Sequence, residues 1–145
     1  MRRIWVLDTS VVVAAFRSRL GASRQMLLAA LNHRFEILLS VPLLLEYEAV
    51  LKRPEHLTAS KIEPSEVEMV LNDLISVAKP VRLAFRWRPD LADPADDMVL
   101  ETAANGGATA IVIFNMRHFA DVAATFGVRL MSPGAALQDL GGISS

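Results

Sequence analysis

Short apolar, β-branched runs alternate along the chain with longer stretches whose apolar residues recur at helical spacing. The runs predict strands at Ile4–Asp8, Glu36–Ser40, Val81–Leu83 (the weakest), Ala110–Phe114 and Val128–Met131. Continuous runs such as Ile111–Phe114 suit strands buried on both faces, as in a parallel sheet covered by helices. The longer stretches predict helices over Ser23–His33, Pro42–Lys52, Ser65–Ala78, Asp96–Asn105, Arg117–Phe126 and Gly134–Leu140. In the third of these, Val67, Val70, Leu71, Leu74 and Val77 form one stripe, and Ser65 and Glu68 are spaced as a capping box. Gly106–Gly107 is a natural stop for the fourth. Alternating elements of this kind predict an open α/β sheet with helices on both faces. Ligands of such sheets bind outside the carboxyl ends of the strands, where the strand order reverses. Asp8 and Asn115, each the first strongly polar side chain after an apolar run, belong at that end.

The chain has 145 residues, which favours one domain spanning 1–145, and a core can form without covalent staples. There is no cysteine, so disulfides and thiolate metal sites are excluded. Net charge is −1, against a massively basic nucleic-acid binder, but 12 of the 15 cations are Arg, the better fork for phosphate. The N-terminal segment, "MRR" before "IWVLDTSVVVAAF", imitates a secretion signal and is spoiled by Asp8. No uninterrupted apolar run approaches the length of a membrane span. The expectation is a cytoplasmic protein without membrane contact.

Acids at particular places carry the chemical signal. Asp93 before Pro94 reads as a helix N-cap, and Asp96 three residues on favours the helix dipole. Asp97 lies beyond the useful cap positions and four residues before Glu101. Two carboxylates about 4 Å apart in partly buried surroundings repel by roughly 4 kcal/mol. A bound cation offsets that, or one acid stays protonated. Glu46 has Pro42, Leu43, Ala49 and Val50 as its helical neighbours, so it faces apolar company, whereas Glu48 can pair with Lys52. Asp8 could cap a helix starting near Val11, although Ser10 could do so equally and leave Asp8 for other work. Asn115 could equally be a helix N-cap. His33, His56 and His118 have no metal-ligand spacing, and no second residue orients His118.

Taken together, "VLDTSVVVAAF", "FEILLSVPLLLEYEAVLKRP", "DPADDMVLETAANGGATAIVIFNMRHF" and "GVRLMSPGAAL" resemble, in order and spacing, the PIN-domain family, and within it the VapC-type toxins of bacterial toxin–antitoxin pairs. The resemblance implies a three-layer α/β/α sandwich with a mainly parallel five-stranded sheet in the order 3-2-1-4-5. It implies an acidic site at Asp8, Glu46 and Asp97, with Asn115 at a fourth position where an Asp is commoner and Ser10 beside the metal. Asp93, Asp96 and Glu101 are secondary candidates. An amide at 115 can hold a hard cation or its water shell, but adds no charge and cannot act as a base.

The implied activity is Mg²⁺- or Mn²⁺-dependent hydrolysis of single-stranded RNA. Asp8 and Asp97 would be direct ligands, with Glu46 a ligand or the base for the attacking water. Arg17 and Arg117, with Arg19 and Arg24 behind them, are candidates for phosphate contact. Implied partners are the RNA, a cognate antitoxin and a second copy of the chain. A non-catalytic RNA- or protein-binding module is the alternative, favoured by Asn115. A haloacid-dehalogenase-type phosphatase would want an Asp where Ser10 stands. A response-regulator receiver would want a Lys after a late strand, and Lys52, Lys61 and Lys79 all come earlier.

Overall fold

The computed structural model describes residues 2–83, 94–120, 124 and 126–141. Among them, five strands form one sheet: β1 (Ile4–Leu7), β2 (Glu36–Leu39), β3 (Lys79–Pro80), β4 (Ala110–Val112) and β5 (Arg129–Met131). Their order is β3-β2-β1-β4-β5 and every neighbouring pair is parallel. Seven α-helices accompany them: α1 (Thr9–Arg17), α2 (Ala22–Leu31), α3 (Val41–Leu51), α4 (Pro54–Ser60), α5 (Pro64–Val77), α6 (Pro94–Gly106) and α7 (Pro133–Asp139). This is the three-layer α/β/α fold expected, with helices over both faces. No helix among the described residues is long and apolar enough to cross a membrane.

The central strands β1 and β4 are wholly buried, which is why they read as unbroken apolar runs. Trp5 is 1% exposed and stacks at a tilt of 33° on Phe35, with ring centroids 4.8 Å apart. Such a pair contributes about 0.5–1.5 kcal/mol beyond its burial. α6 lies against β1, β2 and β4, while α2 packs on α1 and α7, and α7 on β5.

Several expectations need adjusting. β3 falls at Lys79–Pro80 rather than 81–83: Val81 donates its N–H to the Leu39 carbonyl (2.7 Å) and the pairing ends there. Pro80 has no N–H to give and is tolerated because β3 is an edge strand. The capping box of α5 is Glu63–Glu66, not Ser65–Glu68. Pro64, with its fixed φ and missing N–H, takes the start of the helix and makes Glu63 the cap. After Asn115 the chain first makes a 3₁₀ turn, Met116–His118, so the helix expected from Arg117 starts later: Ala120, Ala124 and Phe126 are helical, and residues 121–123 and 125 lie outside the described residues. α4 was not among the predicted helices, and α1 entered only as the helix near Val11 that Asp8 or Ser10 could cap.

Three arginines from the amino-terminal side of the sheet hold the end of α7. Arg3 donates to the Asp139 carboxylate (2.9 Å) and carbonyl (2.6 Å), Arg34 to the Leu140 carbonyl (2.6 Å), and Arg129 pairs with Asp139 at 3.6 Å. Cations there complement the negative end of the helix dipole. The Arg3 guanidinium, chiefly, holds the Asp139 carboxyl below the usual carboxylate range.

Candidate active site

β1 ends at Leu7, and the Asp8 N–H donates to the Val112 carbonyl of β4 (2.9 Å). The chain then turns directly into α1, with Asp8 as its N-cap. Asp8 Oδ2 accepts from the Ser10 N–H (3.0 Å) and from the Ser10 hydroxyl. Ser10 is therefore not the cap; it is a donor that orients the Asp8 carboxylate. Asp8 is 8% exposed. Beside it the Thr9 hydroxyl is buried, with no hydrogen-bond partner among the described residues.

α3 starts at the Ser40 cap, whose hydroxyl accepts from the Leu43 N–H (3.3 Å) and shares a buried hydrogen bond with Thr102 of α6 (2.7 Å). That link sets α3 against α6 behind the site. One turn along, Glu46, Val50 and Arg53 repeat at i, i+4, i+7 and face the same cleft. The Glu46 side chain is half-buried and makes no ion pair with an arginine among the described residues. Glu48 pairs with Lys52 (3.2 Å) as expected, and Lys52 also reaches Glu68 (2.9 Å), which together raise the Lys52 pKa. Tyr47, fully buried, donates its hydroxyl to the Leu7 carbonyl, the last of β1. Burial first, and the Asp8 carboxylate second, push its phenol well above the ordinary value. Tyr47 thus stays a neutral donor and ties the helix that carries Glu46 to the strand that ends in Asp8.

α6 brings the remaining acids. Asp96 faces the cleft, whereas Asp97 does not belong to its lining. Successive helical residues point about 100° apart, so these two neighbours cannot share one orientation. Asp97 Oδ1 and, four residues on, Glu101 Oε1 are closed off from solvent. Asp93 lies outside the described residues. Asn115, at the end of β4, is exposed and caps the 3₁₀ turn, accepting from the Arg117 N–H (3.3 Å).

Asp8, Ser10, Glu46, Arg53, Asp96 and Asn115 line a single cleft of about 380 Å³. It opens at the carboxyl ends of β1 and β4, where the strand order reverses. The carboxylates, the Ser10 and Thr9 hydroxyls and the Asn115 amide are hard oxygen donors, so the donor set suits Mg²⁺ or Mn²⁺ in kind. Among the described residues no three carboxylates or imidazoles stand close enough together to grip an ion as they are placed. An ion would draw the carboxylates inward or keep much of its water, as Mg²⁺ usually does.

Three of the four arginines considered for phosphate line another hollow. Arg17, Arg19 and Arg24 border a separate hollow of about 910 Å³ between α1–α2 and α4–α5. Arg24 is engaged there by the Ala15 and Phe16 carbonyls at the end of α1. Arg117 is exposed next to Asn115. Arg53, Thr9 and Phe114, which do line the cleft, were not singled out from sequence. The spacing of Arg53 from Glu46 was the available signal.

The family model of the PIN domain matches residues 5–117, a span that holds all the cleft residues just named. No curated protein sequence matches the chain.

Proposed function

The chain belongs to the PIN-domain family, and from that premise we propose that it is a Mg²⁺- or Mn²⁺-dependent ribonuclease hydrolysing phosphodiester bonds of single-stranded RNA. The observation that carries this is one cleft, at the switch in strand order, walled by acids from three separate elements: Asp8 after β1, Glu46 in α3 and Asp96 in α6. Those three would hold the ion. When bound, it supplies positive charge against the phosphate oxygens and makes the attacking water more acidic.

The side chains divide the remaining work. Ser10 fixes the Asp8 carboxylate. Glu46, half-buried with no ion pair among the described residues, is placed to take a proton from the attacking water. Asn115 donates and accepts hydrogen bonds at the rim without adding charge. Within this reading the protein is a cytoplasmic toxin of a toxin–antitoxin pair, a homodimer restrained by a cognate antitoxin.

Cleavage of single-stranded RNA at stoichiometric enzyme, with Mn²⁺ or with chelator, tests it. Asp8→Asn should abolish cleavage while unfolding stays within about 1 kcal/mol of the parent, since Asn also caps helices. Asp96→Asn should abolish it too. Loss in Asp97→Asn alone would move the ligand to Asp97, and full cleavage by all three variants would remove the mechanism. Growth arrest on induction, relieved by Asp8→Asn, tests the toxin role.

Asn115, together with the spacing of the acids, favours a second reading: a module that binds RNA or protein without cutting it. Binding of RNA by the parent with no cleavage in Mn²⁺ would decide for that alternative.

A further inference from the structure

Among the residues lining the acid cleft, Arg53 and Phe114 contribute neither a metal donor nor a general base. We propose that they read the nucleic acid itself: the Arg53 guanidinium takes a phosphate, and the Phe114 ring stacks on an unpaired base next to it. The ribonuclease reading explains why a strand comes to this cleft, and the proposal rests on it in that respect; the contacts themselves are tested by binding alone.

Arg53 is the one cation in the described lining, facing Asp8, Glu46 and Asp96. A guanidinium present to neutralise those acids would be bonded to one of them. Arg53 is exposed and, among the described residues, its side chain makes no ion pair and no hydrogen bond. Its backbone is anchored all the same: the N–H donates to Val50 (3.1 Å), and the carbonyl accepts from His56 (2.9 Å) and Leu57 (3.1 Å). The junction of α3 and α4 therefore holds an unengaged planar fork at the mouth of an acidic cleft. Such a fork matches phosphate oxygens two at a time, and a strand entering this cleft needs a cation to offset the carboxylates.

Phe114 departs from the other large aromatics described. Trp5, Phe35, Tyr47 and Phe119 are at most 5% exposed and Phe16 and Phe126 are half-buried, whereas Phe114 is 53% exposed. It is not on a loose loop. Ile113 just before it is buried and donates its N–H to Met131 of β5 (2.8 Å), and Asn115 just after it caps the 3₁₀ turn. A ring presented to solvent just past a fixed strand end, at the rim of the acid cleft, is a stacking platform. It accepts any base, since each has a π face, and it selects single strands because duplex bases are already stacked on their neighbours.

Anisotropy of a fluorescein-labelled single-stranded RNA, measured over a salt series with Ca²⁺ in place of Mg²⁺, tests both contacts. Phe114→Ala should weaken binding by about 5- to 100-fold and leave the salt dependence unchanged. Phe114→Trp should restore it. Arg53→Gln should lower the slope of log K against log salt by about 0.7, the value for one phosphate contact on a single strand. Neither variant should shift the thermal midpoint, since both side chains are exposed. Parent-like affinity in Phe114→Ala, a parent-like salt slope in Arg53→Gln, or no RNA binding by the parent overturns the proposal. If the parent binds through these residues but never cleaves in Mn²⁺, the ribonuclease reading falls and this one stands. If it cleaves while the variants bind like the parent, the reverse holds.

Discussion

Asp8 serves three structural partners at once: it is the exit of β1, the N-cap of α1 and the acceptor for the Ser10 hydroxyl. Its orientation is therefore set before any ligand arrives. Tyr47 extends that control, since its hydroxyl ends on the carbonyl next to Asp8. Tyr47→Phe should cost about 1–2 kcal/mol, because a buried carbonyl loses its donor. The raised phenol pKa has a definite pH signature. A folded-state value above the unfolded one contributes stability that is whole below about pH 10 and is lost as pH rises through the folded value. Tyr47 is the chain's one tyrosine, so ultraviolet phenolate absorbance should appear only together with unfolding on that alkaline limb. Phenolate forming in the folded protein near pH 10 would contradict the buried, bonded hydroxyl. At position 115 an acid would add charge beside the cleft. Asn115→Asp should tighten Mn²⁺ by about tenfold, or ~1.4 kcal/mol, in keeping with a carboxylate near a cation in a wet site. Calorimetry giving unchanged affinity would place Asn115 outside the ion's reach.

α6 is the element on which the site turns, because it sets Asp96 against two other elements. The Ser40–Thr102 hydrogen bond fixes α6 to α3, and a close approach fixes its far end to the sheet. A Cβ at Gly106 would lie 2.6 Å from Leu38 Cδ1 and 2.7 Å from Val81 Cγ2. Leu38 is fully buried and has little room to yield. Gly106→Ala should accordingly destabilise by about 1–3 kcal/mol in denaturant unfolding, and parent stability would show that α6 sits less tightly than described. From sequence, Gly106–Gly107 reads as a helix stop. Gly107 fits that reading with φ +68, whereas the need for glycine at 106 comes from a strand nearly seventy residues away. The face of α6 that meets the cleft was equally out of reach. Capping preferences explain an acid at 96 and leave 97 over, but which of two adjacent residues faces the site depends on how the helix is rotated against α3 and the sheet.

For the molecule as a whole, the fold gathers acids from distant parts of a chain that is nearly neutral overall. On the proposed reading a divalent ion would offset the negative charge they bring to one cleft. Mn²⁺ should then raise thermal stability by mass action, by about 2.7 kcal/mol at a hundred times its Kd. Chelator should reverse the gain and Asp8→Asn should abolish it; equal stabilisation of that variant, followed by scanning calorimetry, would place the ion somewhere other than this cleft.

The order and type of the principal elements, the parallel sheet, and the arrival of Asp8 and Asn115 at one end of it follow from the chain's own periodicity. A strand buried on both faces must be apolar throughout, so its first polar residue marks its exit. Which residues line the cleft was decided by tertiary structure. That Asp96 lines the cleft while Asp97 does not, that Arg53 lies at the cleft while Arg17 and Arg24 line another hollow, and that Phe114 is an exposed ring depend on rotations and contacts between elements far apart in sequence. Local preferences act over a few residues and carry no information about which faces will meet across the sheet.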